Sequence, residues 1–157
     1  MPQEPVRPGD LAPDFELPAT RDGSVRLSAL RGGPVVVYFY PRDATPGCTQ
    51  EAQGFRDLYP RFREAGAEVL GVSRDPLTSH EKFAAKQEIP FPLLADPDET
   101  VCRAYGVMKE KTMYGKKVWG IERSTFVIDA GGTVRHAHRR VKVKGHAEQV
   151  LEEVLAR

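Results

Sequence analysis

The chain has 157 residues, enough for one ordinary domain with a substantial core and no need of metal or disulfide staples. Its 23 Lys and Arg are balanced by 22 Asp and Glu, a formal net charge of +1, so no overall field points to nucleic acid or an anionic membrane. The longest apolar run, Val35 to Phe39, is far short of the roughly 18 residues of a membrane span, and the stretch Met1 to Phe15 lacks the regions of a signal peptide, so a cytoplasmic protein acting on a small neutral substrate is expected.

Residues 1–13, with Pro2, Pro5, Pro8, Gly9 and Pro13, cannot sustain a helix and read as an extended arm laid over the domain. "DFEL" and "SVRL" (14–17 and 24–27), separated by "PATRDG" with its Asp22-Gly23 turn signal, predict a short hairpin. "PVVVYFY", Pro34 to Tyr40, is β-branched and aromatic without polar alternation, the pattern of a strand covered on both faces. Beyond it, Phe55, Leu58, Tyr59 and Phe62 recur at three- and four-residue spacing, which predicts a helix from Pro46 to Glu64 that Pro60 kinks or interrupts. "AEVLGVS" (67–73) is a second buried strand, and "TSHEKFAAKQE" (78–88) opens with Thr78 and Glu81 in capping-box spacing and reads as a helix.

"FPLLAD" (91–96) is a third strand, and "PDETVCRAYGV" (97–107) a short helix ending near Gly106. "KEKTMYGKKVWG", Lys109 to Gly120, reads as a lysine-bearing loop with Met113, Tyr114 and Trp119, either flanking a pocket, receiving a partner protein, or simply solvated. "RSTFVID" and "TVRHAHRRVKV" flank "AGG" as an antiparallel hairpin, and a last helix from His146 carries Val150, Leu151, Val154 and Leu155 on one face. Strands alternating with helices, then a hairpin and a terminal helix, predict one α/β domain: a mixed central sheet with helices on both faces, compatible with a thioredoxin-like fold.

Only Cys48 and Cys102 are present, with neither a CxxC pair nor a four-cysteine spacing, which argues against a thioredoxin-type redox pair and a structural zinc site. An isolated cysteine is most often an inert core residue, but Pro46 and Gly47 are poor company for a core position. A thiol in the first turn of a helix sits among unpaired backbone N–H groups at the positive end of the dipole, and both favour the thiolate. The expectation is a helix start that exposes Cys48 and readies it to react.

Pro41, Thr45 and Cys48 form P-x-x-x-T-x-x-C directly after an apolar strand, and this resembles the active-site signature of the peroxiredoxins. "GIERSTFVID" is similar to the segment carrying that family's second essential element and places its arginine on Arg123; "PGCTQEA", "LLADPDETVCRAYGV" and "VKVKGHAEQVL" resemble the bacterioferritin comigratory protein or peroxiredoxin Q subgroup. The resemblance runs from Leu11 to the C-terminus. It implies a thiol peroxidase with no metal, haem or flavin, in which the Cys48 thiolate attacks a hydroperoxide, ROH leaves, and Cys48 becomes a sulfenic acid. Thioredoxin or another small thiol system would supply the turnover electrons, and a monomer is expected from the subgroup alone.

Forming a thiolate gains little by itself, since nucleophilicity falls as the thiol becomes more acidic with a Brønsted slope of about 0.4–0.5. The rest of the rate must come from aiming the peroxide and stabilising charge on the leaving oxygen. Within the resemblance, Thr45 offers its hydroxyl to sulfur and peroxide, or caps the helix; Arg123 supplies fixed charge and several donors; the N–H groups of Gly47 and Cys48 hold a peroxide oxygen. Pro41 walls the pocket, and Glu51, one turn into the helix, orients Arg123.

Two features depart from the pattern. Many relatives in the subgroup resolve the sulfenic acid with a cysteine five residues after the first, where this chain has Gln53, or on the following helix, where "TSHEKFAAKQE" has none. Cys102 is either a small buried residue on a short apolar helix or a nonstandard resolver brought to Cys48 by local unwinding. His136 and His138 share one face of a strand but lack a third ligand in clear spacing, and the basic run from Arg135 to Lys144 alternates with Val141 and Val143 as a half-solvated strand does. The rival reading is a redox sensor or chaperone-like protein switched by Cys48 oxidation; a thioredoxin-fold disulfide reductase is disfavoured by the missing CxxC.

Overall fold

The computed structural model describes residues 5–21 and 23–156. Strands β1 (Glu16–Ala19), β2 (Gly23–Arg26), β3 (Val35–Phe39) and β4 (Glu68–Ser73) precede β5 (Leu93–Ala95), β6 (Met108–Met113), β7 (Lys116–Ile121), β8 (Ser124–Ile128) and β9 (Val134–Arg139). Helices are α1 (Pro46–Glu64), α2 (Leu77–Gln87), α3 (Thr100–Ala104) and α4 (His146–Leu155), with a 3-10 turn at Leu27–Leu30. Seven strands form one mixed sheet in the order β2-β1-β5-β4-β3-β8-β9, and β6 with β7 forms a separate two-stranded ribbon. β3 runs parallel to β4 and antiparallel to β8, at the centre of the sheet.

Period-two alternation divides the core into two layers. Val35, Val37 and Phe39 face one layer with Leu70, Val72, Phe126, Val101, Cys102 and Tyr105. Val36, Tyr38 and Tyr40 face the other, with Cys48, Ala52, Phe55, Phe62, Val150 and Leu151. The second layer lies under α1, α2 and α4; the first lies under α3, the 3-10 turn and the N-terminal arm. Gly71 in β4 makes room for this packing, because a Cβ there would lie 2.9 Å from the ring of Tyr38 and 2.8 Å from Leu93.

Residues 5–13 are tied to the domain. Gly9 N–H donates to Val134, Val134 N–H to Asp10 and Ala12 N–H to Gly132, while Val6 and Ala12 are buried. Arg139, read from sequence as part of a solvated basic run, is an internal clip: its guanidinium donates to the carbonyls of Val6, Tyr105 and Gly106 and stands over the Phe126 ring.

Several expectations need correction. The first hairpin is set two residues later on its leading strand than predicted, and Asp22 lies outside the described residues. Helix α1 runs unbroken through Pro60, which is exposed, so the carbonyl that loses its donor faces solvent while Phe55 and Phe62 hold the buried side. Helix α2 begins at Leu77 behind Pro76 with no side-chain cap, so Thr78 and Glu81 form no capping box. Leu155 is 52% exposed, unlike Val150, Leu151 and Val154. The stretch 109–120 is a β-ribbon instead of a loop, turned at Tyr114 and Gly115, both of positive φ, as a tight hairpin requires. Strand β9 stops at Arg139, where Arg140 adopts φ 51. Among the described residues no helix is long and apolar enough to cross a membrane.

Candidate active site

The carboxyl end of β3 delivers the chain to Pro41, and α1 begins five residues later. Cys48 occupies the third position of α1, and Glu51 follows one turn on along the same side of the helix. Arg123 stands between β7 and β8, beside the end of β3, because Phe39 pairs with Ser124. Helical spacing brings Cys48 and Glu51 together, and the order of β3 and β8 in the sheet brings Arg123 to both.

The Arg123 guanidinium is a fork. Nη1 donates to Glu51 Oε1 at 2.7 Å, and Nη2 donates to Cys48 Sγ at 3.5 Å. It packs so closely on the first turn of α1 that a Cβ on Gly47 would lie 3.0 Å from Nη2. Cys48 is only 2% exposed, which corrects the expectation of an exposed thiol. It is buried beneath its own helix start against the Tyr38–Tyr40 layer, yet its sulfur is a hydrogen-bond acceptor for a cation. Glu51 is buried as well, and its Oε2 has no hydrogen-bond partner. Burial pushes the Glu51 carboxyl up to about 7 in spite of the attraction and hydrogen bond of Arg123. Arg123 itself is held above its ordinary value, since Glu51 and Cys48 together outweigh the cost of its burial.

A model of the AhpC/TSA family matches residues 8–137. The chain belongs to that family, among the Bcp/peroxiredoxin Q peroxiredoxins. Peroxiredoxin Bcp of Xanthomonas campestris is 54% identical over 142 residues, covering 89% of each chain. A cysteine-to-serine mutant of Xylella fastidiosa peroxiredoxin Q superposes with a TM-score of 0.91 at 43% identity over 98% of each chain. The bacterioferritin comigratory protein of X. campestris, whose trapped intermediate and ligand complexes concern alkyl peroxide reduction, does so with 0.86 at 51% identity over 90% of each. The mixed sheet is therefore the thioredoxin-like peroxiredoxin fold.

Around this peroxiredoxin's cysteine, Thr45 is the residue before α1, but its side chain does not cap the helix: the hydroxyl donates to the Arg42 carbonyl at 2.9 Å. Pro41 is half-buried. A network missed in the sequence holds the turn between them. Asp43, buried, accepts from the Tyr40 hydroxyl at 2.6 Å, from Ser79 at 2.8 Å and from His80 Nδ1 at 2.7 Å; the other His80 nitrogen lies 2.9 Å from the Leu94 carbonyl. Burial works to raise the Asp43 pKa, but His80, Tyr40 and Ser79 outweigh it and hold the carboxyl below its usual range. Next to Asp43, Ala44 is a non-glycine residue at φ 63. Asp43, Asp75 and His80 bring ligand atoms within 4.8 Å of one another, but Asp43 and His80 spend theirs on this network and Asp75 accepts from Ser73 and from the Asp43 N–H.

The two glutamines at the expected resolver region face each other. Gln53 on α1 donates to Gln87 on α2 at 2.9 Å. Cys102 is fully buried in the opposite core layer; burial above all, with Asp96 beside it, pushes its thiol far up. His136 and His138 are met by Glu153 from α4, at 3.8 and 2.7 Å, a carboxylate that the spacing along the strand could not reveal. A hollow of about 600 Å³ beside Pro34, Asp129 and Glu153 lies at the far end of β3 from Cys48 and takes no part in this chemistry.

Proposed function

We propose that this peroxiredoxin reduces hydrogen peroxide and small alkyl hydroperoxides at Cys48 and is recycled by an outside thiol. The observation that carries the reading is the Arg123 fork, which joins a buried sulfur at a helix start to a buried carboxylate. In the first step the Cys48 thiolate attacks one oxygen of ROOH. The O–O bond breaks, an S–O bond forms, and the departing RO⁻ takes a proton to leave as ROH; sulfur is oxidised by two electrons and the peroxide reduced. Arg123 donates to the sulfur before attack and stabilises the charge that passes to the leaving oxygen, as a preorganised cation in a water-poor site does. Glu51 holds the guanidinium in register. The N–H groups of Gly47 and Cys48, in the first turn of the helix, donate to a peroxide oxygen in this reading. Thr45, whose proton is engaged by Arg42, keeps lone pairs to accept from the peroxide, and Pro41 shields the sulfur.

An outside thiol then displaces hydroxide from the sulfenic acid, forming a mixed disulfide and water, and a second thiol releases Cys48. Cys102 is an unsuitable resolver, for its raised thiol lies beyond the sheet. We assign the chain to a one-cysteine cycle with thioredoxin or a low-molecular-weight thiol as reductant, in a monomer of the cytoplasm. Stopped-flow peroxide consumption tests the reading. Cys48→Ser is expected to abolish it and Arg123→Ala to slow it by about two orders of magnitude or more; unchanged second-order rates in either variant would sink the mechanism.

A further inference from the structure

On the β6–β7 ribbon, every described side chain from Glu110 to Trp119 is exposed except Lys111, which is half-buried. The ribbon register pairs Lys111 with Val118 and Met108 with Ile121. Yet the Lys111 ammonium donates to the Ile121 carbonyl, so its chain reaches back three residues along the ribbon to its base, two residues before Arg123. Its fellow Lys117 shows the contrast: it is 79% exposed and pairs loosely with Glu110 at 3.8 Å. The groups that act electrostatically on Lys111 are Arg123 and Glu122 just past β7, Cys48 on α1, and Arg74 after β4.

We propose that Lys111 is a positioning residue of the peroxide site, pinning the segment that delivers Arg123 and adding a second positive charge to the field at that site. The proposal rests on the thiol-peroxidase reading above. The charge count gives the reason. The Arg123 fork divides one positive charge between Cys48 and Glu51, and as Glu51 ionises through about 7 its carboxylate takes a growing share of that charge from the sulfur. Lys111 adds a positive charge that Glu51 does not hold, and its field acts on the sulfur's charge as it moves toward the leaving oxygen. Burial first, and then Arg123, holds Lys111 below an ordinary lysine, while Glu122 and Cys48 work the other way. The ammonium therefore loses its proton earlier in the alkaline range than an ordinary lysine.

The test is the second-order rate with hydrogen peroxide, measured from neutral to alkaline pH in wild type, Lys111→Met, Lys111→Arg and Lys116→Met, the last an exposed control on the same ribbon. Lys111→Met is expected to be about tenfold slower at neutral pH, and Lys116→Met unchanged. Lys111→Arg should recover most of the rate and hold it at alkaline pH, where wild type declines, because a guanidinium keeps its charge. Lys111→Met within about twofold of wild type overturns the proposal. So does an arginine variant that declines with pH as wild type does, a comparison that stands even where the methionine variant fails to fold. A wild-type protein that consumes no peroxide overturns the peroxidase reading first, and the two failures are told apart by that measurement.

Discussion

Cys48 and Cys102 lie on opposite faces of the same seven-stranded sheet, one packed with Tyr38 and Tyr40, the other with Phe39 and Tyr105. A disulfide between them would require one thiol to leave its core layer and pass the sheet edge. Cys102→Ser is therefore expected to keep both peroxide consumption and turnover with an outside thiol. Mass spectrometry of the wild type after one equivalent of peroxide should show one added oxygen on Cys48. An intramolecular disulfide in that experiment would refute the one-cysteine cycle.

Gly47 sets the distance between α1 and Arg123. Its φ is not positive, so the backbone accepts alanine, but the new methyl would press on Nη2 from 3.0 Å. Gly47→Ala should slow the reaction with peroxide about tenfold or more by turning the guanidinium, with little change in thermal stability. Loss of stability in proportion to the loss of rate would show that the glycine serves the fold instead.

Glu51 gives stability a pH dependence of unusual sign for a carboxylate. Its folded value of about 7 lies above the ordinary 4.5, so the folded chain keeps a proton that the unfolded chain has released. The contribution is complete below the unfolded value and is lost as pH rises through about 7. Glu51→Gln removes this dependence, so urea midpoints should move in favour of the variant between pH 5 and pH 8, relative to wild type. A difference that stays constant across that range would contradict the raised carboxyl of buried Glu51.

His146 works in the opposite direction. Buried at the start of α4, with Nε2 2.8 Å from Thr125 Oγ1, it is pushed down to about 4 by burial first and then by His138 and Arg123. Stability from the neutral ring is present above the ordinary value of 6.5 and is lost as pH falls through about 4. His146→Asn should flatten the acid limb of a urea-midpoint profile; an acid limb as steep as that of wild type would assign the loss to other groups.

The sheet, α1 and the place of Cys48 were legible because an apolar strand, a Pro-Gly stop and a three-to-four-residue period leave few alternatives. Arg123 and Glu51 were legible only through resemblance, since their meeting depends on β8 lying beside β3. The ribbon was missed because its side chains carry no apolar stripe; Tyr114-Gly115 was its single local signal, and it stood among lysines. Lys111 and the Asp43–His80 network escaped for a different reason. Each depends on where a side chain ends after crossing between elements, and linear spacing does not encode that reach.

The hydrogen bond between Gln53 and Gln87 joins α1 to α2 with two amides, groups that cannot take up or pass on electrons. In the one-cysteine cycle proposed above, the return of oxidised Cys48 is a bimolecular event. The lifetime of the oxidised protein then varies inversely with the concentration of thiol around it, and its turnover reports how well supplied the surrounding medium is with reducing power.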